Sequence, residues 1–217
     1  MGMRRLLNNK YFFSVEGETE VLYFQHLKKL ICAEEKRIAN PVFHIEKSSP
    51  LKYAKKLSVI QSCTVTAVFD VEDNDAEHKK RFENTLKEMK DSESLGKAIK
   101  YELGYSNIDF ELWILLHKKD MFCTISSRSQ YLSNINSVFG TKFQGLKEYK
   151  VEKNFNQILS QITLEDVKNA ISRAEKIIKQ RESEDKPLKS SGYEWFERNP
   201  SLSVHLAIKK ILLECGV

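Results

Sequence analysis

Two acidic clusters carry the residue types that could do chemistry. The first, Glu16-Gly-Glu-Thr-Glu20, follows the β-forming run Tyr11-Phe-Phe-Ser-Val15. Gly17 permits a sharp turn at that point and brings backbone amides close to a ligand. Glu16 stands at the turn itself and Glu20 one helical turn later, so both can point to one place. Acidic residues also complement a helix N-terminus, and the spacing alone does not separate the two uses. The second cluster, Asp70-Val-Glu-Asp-Asn-Asp75, follows the run Thr64-Val-Thr-Ala-Val-Phe69. Alternate residues of an extended chain point the same way, which aims Asp70 and Glu72 at one cation. Four carboxylates in six residues repel one another unless something positive is shared. Oxygen donors of this kind suit Mg²⁺ or Mn²⁺.

The elements that must position these acids alternate. Residues 11–15, 42–45, 64–69 and 99–103 read as strands. Helical spacing follows each of them: from Thr19 to about residue 31, from Pro50, from Ala76 to about residue 90, and over 106–117. Such alternation predicts an α/β fold, a mostly parallel sheet of about four strands flanked by helices. Ligands collect at the carboxyl ends of strands in sheets of this kind, so Glu16 and Asp70 are expected at one edge. Beyond Lys118 the alternation stops. Residues 127–139 read as a helix, Thr163-Leu-Glu-Asp166 as a capping box opening another, and Pro200 as the start of the last. The polar stretch 181–191, broken by Pro187, is expected to be a mobile loop. Residues 1–120 therefore form an α/β catalytic domain and 121–217 a helical annex packed on it.

Composition narrows the class. The chain has 217 residues, 41% of them hydrophobic and 30% charged, which excludes disordered and collagen-like classes. A net charge of +5 permits nucleic-acid binding without establishing it. Cys32, Cys63, Cys123 and Cys215 form no Cys-x-x-Cys pair, which argues against a zinc or disulfide framework. No apolar run approaches the ~20 residues that span a bilayer, and the first ten residues lack a signal-peptide stretch. A cytoplasmic protein without membrane association is expected. Further candidates lie downstream. Asn107 and Glu111 share a helical face if 106–117 is a helix, and that face would border the acids, although capping explains Asn107 equally well. His117 and His205 are additional candidates, each also readable as an ordinary core histidine. Lys147, Tyr149, Lys150 and Lys153 combine cations with an aromatic ring, as a nucleic-acid groove or a solvated loop would. No Gly-x-x-x-x-Gly-Lys-Ser/Thr loop is present, so the chain has no phosphate-binding loop of the Walker type.

Glu16-Gly-Glu-Thr-Glu20 after one strand and Asp70-Val-Glu72 after a later one resemble the TOPRIM domain of topoisomerases, primases and related nucleases. Together with Ser106-Asn-Ile-Asp-Phe-Glu-Leu-Trp-Ile-Leu-Leu-His117 and Asn199-Pro-Ser-Leu-Ser-Val-His205, they make the chain similar, over nearly its whole length, to the RloB (AbiLii-like) family. The resemblance implies a TOPRIM-like sheet. It implies that Glu16 is a general acid/base or metal-proximal group, with Asp70 and Glu72 coordinating the cation. Glu72 replaces the usual second Asp of the Asp-x-Asp pair, and Asp73 could substitute for it. With the acidic clusters, this leads to an expected metal-dependent nuclease acting on DNA or RNA, in anti-phage, abortive-infection or restriction-linked defence, beside a separately encoded AAA/ABC-type ATPase. A non-catalytic nucleic-acid-binding or regulatory module for such an ATPase is the alternative. Self-association through the annex is a further expectation.

Overall fold

The computed structural model describes residues 6–58, 61–71, 76–125 and 127–217. Four strands form one parallel sheet in the order β2-β1-β3-β4: β1 (Leu7–Val15), β2 (Ala39–Lys47), β3 (Cys63–Val71) and β4 (Ile99–Asn107). Near-continuous apolar runs such as Thr64-Val-Thr-Ala-Val-Phe69 are what a strand covered on both faces requires. The crossovers are helical: α1 (Glu18–Ala33) after β1, α2 (Pro50–Lys56) after β2 and α3 (Ala76–Glu93) after β3. Pro50 opens α2 as expected.

One face of the sheet, with Val65, Ala67 and Tyr101, packs on Tyr53 of α2 and on Phe82, Leu86 and Met89 of α3. The other face, with Phe13, Val15 and Val68, joins a larger core. That core takes in α1, α4 (Glu111–Leu116), α5 (Arg128–Phe139), α7 (Glu152–Leu159), α8 (Leu164–Glu184) and α9 (Val204–Cys215), with a one-turn α6 (Leu146–Tyr149) between α5 and α7. It runs without a break from Phe13 to Cys215, across the expected boundary at residue 120. The last segment also returns to the sheet. Leu202 makes an antiparallel bridge with Ser106, Ser203 N donates to Tyr105 O at 2.8 Å, and Ile38 N donates to Cys215 O at 2.8 Å.

Three local expectations need correction. Residues 106–107 end β4 rather than starting a helix, and α4 begins only at Glu111. β4 runs past the expected end at residue 103, and Gly104 sits inside it: a Cβ there would lie 3.2 Å from Thr66 Cγ2 and 3.5 Å from Val204 Cα. Its lack of a side chain admits the start of α9 against the sheet. Residues 181–191 are not a loop. α8 continues to Glu184, and β5 (Leu188–Ser190) pairs antiparallel with β6 (Tyr193–Trp195). The connecting Ser191 and Gly192 both have positive φ (53° and 88°), the backbone of a tight primed turn. The capping box at Thr163 forms as the sequence predicts, each partner bonding the other's backbone N–H.

The three ladders differ in length. β1–β2 and β3–β4 each pair nine residues, whereas β1–β3 pairs only Phe12–Val15 with Val65–Val68. Below that short seam a cavity of about 610 Å³ opens between Tyr11, Thr64 and α9. Among the described residues, no helix is long and apolar enough to cross a membrane.

Candidate functional site

β1 and β3 are neighbours, but the chain leaves them in opposite senses. From β1 it crosses one face through α1 to β2; from β3 it crosses the other face through α3 to β4. Connections diverging between adjacent strands leave a crevice at their carboxyl ends. Both acidic clusters begin there. Glu16 N donates to Val68 O at 3.2 Å, closing the last rung of the seam, and the Glu16 carboxylate accepts from Asp70 N at 3.2 Å. Glu16 and Asp70 thus share one edge, as expected.

Glu20 folds back over the same turn. A Cβ on Gly17 would stand 3.0 Å from Glu20 Oε2, so the absent side chain is what lets the carboxyl lie there. Glu20 is 4% exposed and, among the described residues, no donor reaches its Oε2. Burial, with the charges of Glu16 and Asp109 added, pushes its pKa up to about 7 against the opposing pull of Lys150. Asp70 is also held well above the usual carboxylate range, by burial first and then by Asp109, Glu20, Glu16 and Glu111.

The end of β4 supplies the third side. Ile108 adopts φ 69°, a left-handed backbone that costs a β-branched residue about 1–3 kcal/mol. It is held there by its own N–H donating to Val71 O at 2.7 Å. The kink leads into Asp109 and Glu111, both buried. Lys150, from the C-terminus of α6, reaches in between them. Its Nζ donates to Asp109 Oδ1 at 3.2 Å and Oδ2 at 3.4 Å, and lies 3.2 Å from Glu111 Oε1. Arg128, the first residue of α5, places Nε 3.6 Å from Asp109 Oδ2. Burial works to raise Asp109, but a hydrogen bond from Glu111 and the charges of Lys150 and Arg128 outweigh it and hold Asp109 below its ordinary value. Glu111 moves the other way, raised by burial, by the charge of Asp109 and by that same hydrogen bond. Between these groups lies a cavity of about 250 Å³ lined by Glu16, Glu20, Asp70, Asp109, Arg128 and Lys150 among others.

The remaining sequence candidates fall in several places. Glu72 and Asp73 lie outside the described residues. Asn107 is neither a cap nor a cavity residue: its side-chain amide donates to Phe196 O at 3.1 Å and Glu197 O at 2.9 Å, tying the C-terminal segment to β4. Tyr149 is fully buried, its ring 5.4 Å from Phe155 and 6.1 Å from Phe143, so it offers no face for a base to stack on. Lys147 and Lys153 are exposed beside it. His205 is buried in the first turn of α9 and lines no part of the cavity. His117 is a core histidine. Its Nδ1–H donates to Trp113 O at 2.9 Å, and Nε2 accepts from Tyr23 O–H at 3.1 Å. Asp109 and Arg128, by contrast, complete the site although they are not among the sequence candidates. The spacing Asp109-x-Glu111 was the available signal, obscured because the segment also reads as a helix start.

His117 makes a stability prediction. Burial lowers its pKa to about 4, against about 6.5 when unfolded. Below pH 6.5 the unfolded chain takes up a proton that the folded chain refuses, so stability present above 6.5 is lost as pH falls towards 4. The slope is about 1.4 kcal/mol per pH unit for one group, and His205, also lowered to about 4, adds to it. His117→Gln should shrink the fall in melting temperature between pH 6.5 and 4; an unchanged slope would mean that His117 titrates normally.

In kind, the donor set fits a hard divalent cation: every candidate ligand is a carboxylate oxygen, and a buried Glu20 oxygen has no donor among the described residues. Among the described residues, no three Asp, Glu, His or Cys side chains already converge as a closed metal cage. The fold and site define an α/β protein whose central sheet is all parallel, with an acidic crevice at its topological switch point. The chain belongs to the RloB-like family, whose model, described as RloB-like protein, matches residues 11–211. No curated protein and no solved structure matches it.

Proposed function

We propose that this protein is a TOPRIM-type, Mg²⁺- or Mn²⁺-dependent nuclease that hydrolyses phosphodiesters of DNA or RNA. The observation that carries the reading is the convergence of Glu16, Glu20, Asp70 and Asp109 on one crevice, where, among the described residues, Lys150 and Arg128 are the cations that offset them, Lys150 reaching buried Glu111 as well. Asp70, with Glu72 beside it in sequence, would hold the cation. When bound, such an ion neutralises the carboxylates, polarises a phosphoryl oxygen and lowers the pKa of water. The protein's own groups do the rest. Glu16, fixed by the Asp70 amide, is placed to take a proton at its carboxylate, and Glu20, with a pKa near 7, can hold or release one at neutral pH. Arg128, two-fifths exposed at the cavity rim, can meet a phosphate oxygen, and exposed Lys147 and Lys153 can neutralise flanking phosphates.

Family membership supports a role in anti-phage or restriction-linked defence in the cytoplasm, beside a separately encoded AAA/ABC-type ATPase that would supply nucleotide hydrolysis, for which this sequence carries no Walker-type loop. The direct test is incubation with plasmid, single-stranded DNA and total tRNA in Mg²⁺, Mn²⁺ or EDTA. Cleavage of at least one substrate with metal and none in EDTA is expected. Binding without cutting under every condition would replace the nuclease reading by that of a binding module.

A further inference from the structure

Lys150 is more than a groove lysine. It arrives from the helical half of the chain and sets one ammonium against three oxygens of two acids whose side chains are 5% and 0% exposed. Oxygens from two buried carboxylates around one positive centre are also what a hard metal ion would require. Among the described residues, oxygen valence remains unused nearby: neither oxygen of Glu111 receives a well-directed hydrogen bond, and Glu20 Oε2, on the cavity that Asp109 and Lys150 also line, has no donor. Arg128 lies farther off, its Nε 3.6 Å from Asp109 Oδ2, against the 3.2 Å at which Lys150 meets both acids.

The geometry points to Lys150 as a resident cation that fills a second metal position, formed by Asp109 and Glu111, so that the protein takes one divalent ion instead of two. The ion at Asp70 rests on the function proposed above; the Asp109–Glu111 position does not. α6, through Lys150 at its C-terminus, thereby sets the number of ions that the sheet edge can accept. Arg at the same place would keep the charge and the exclusion, whereas a neutral side chain of similar length would open the position.

Calorimetric titration of Mn²⁺ alone into metal-stripped full-length protein tests this. The expected stoichiometries are one ion for the native sequence, two for Lys150→Met and one for Lys150→Arg. Two ions in the native protein, one in Lys150→Met beside one in the native protein, or two in Lys150→Arg would overturn it. No ion in the native protein but one in Lys150→Met would sustain the Lys150 inference while removing the ion at Asp70. No ion in either would end both. If Lys150→Met does not fold without metal, its melting transition decides: saturating Mn²⁺ should restore a cooperative transition, and failure to do so overturns the inference.

Discussion

Asp70→Asn is expected to abolish metal-dependent cleavage while leaving the fold intact and somewhat more stable. The substitution keeps size and hydrogen-bonding capacity but removes the charge that would hold the cation. A loss of roughly 10³-fold or more, about 4 kcal/mol in transition-state terms, is the anticipated scale. The stability gain follows from the sign of the Asp70 shift. Burial and four neighbouring acids hold its pKa well above the usual range. Above the unfolded pKa the unfolded chain has released a proton that the folded chain keeps, so the carboxylate costs more stability as pH rises. Asparagine carries no such cost, and each kcal/mol relieved raises the melting temperature by about 2–4 °C in a chain of this length. Glu16→Gln should also lose turnover, but with a smaller loss of Mn²⁺ affinity, because its main part is proton transfer. Nuclease rate, Mn²⁺ titration and melting temperature together read these outcomes. Asp70→Asn cleaving at the native rate would show that chemistry resides elsewhere.

Truncation before Thr163 should yield insoluble protein rather than a catalytic core. The deletion removes α8, whose Leu164, Val167, Ile171, Ala174 and Ile177 lie in the same buried cluster as Trp113 and Leu116 of α4. It also removes α9, and with it Ile208 and Ile211 from the cluster that contains Phe13 and Val68. The bridge from Leu202 to Ser106 and the bonds from Asn107 to residues 196–197 go too, leaving the outer side of β4 uncovered next to the Asp109 kink. An exposed sheet face and an unpaired edge strand both favour aggregation. Expression of residues 1–162 with a solubility and circular-dichroism readout checks this; a soluble, cooperatively melting fragment would make the C-terminal part a separate domain.

The strands were legible because a strand covered on both faces must be apolar nearly throughout, and four such runs separated by helical spacing leave little choice of topology. From that alone came the shared edge of Glu16 and Asp70. Strand ends were harder to place: Gly104 reads as a terminus in isolation, and only the approach of Val204, a hundred residues on, explains it. Asp109 was obscured for a related reason, since Ser106 and Asn107 look like caps until the C-terminal segment pairs with them and prolongs β4. Tyr149 beside two lysines suggested a surface groove; its burial depends on Phe143 and Phe155, whose convergence no periodicity encodes. Residues 181–191 read as loop on charge and Pro187, yet Arg181 is buried against Glu184 and Asp185 and the Ser191-Gly192 turn closes a hairpin.

The unequal ladders bear on how the protein moves. Two stiff leaves, β2–β1 and β3–β4, are joined by four rungs, all at the end that carries the acids. Bending of one leaf against the other therefore has its fulcrum beside Glu16 and Asp70, and its largest excursions at the opposite end, over the 610 Å³ cavity. Like the pivot of a pair of shears, the acid-bearing edge keeps its spacing while the far ends swing. Thermal breathing of the sheet is thus directed away from the carboxylates, whose separation would have to stay constant for any ion to remain bound between them.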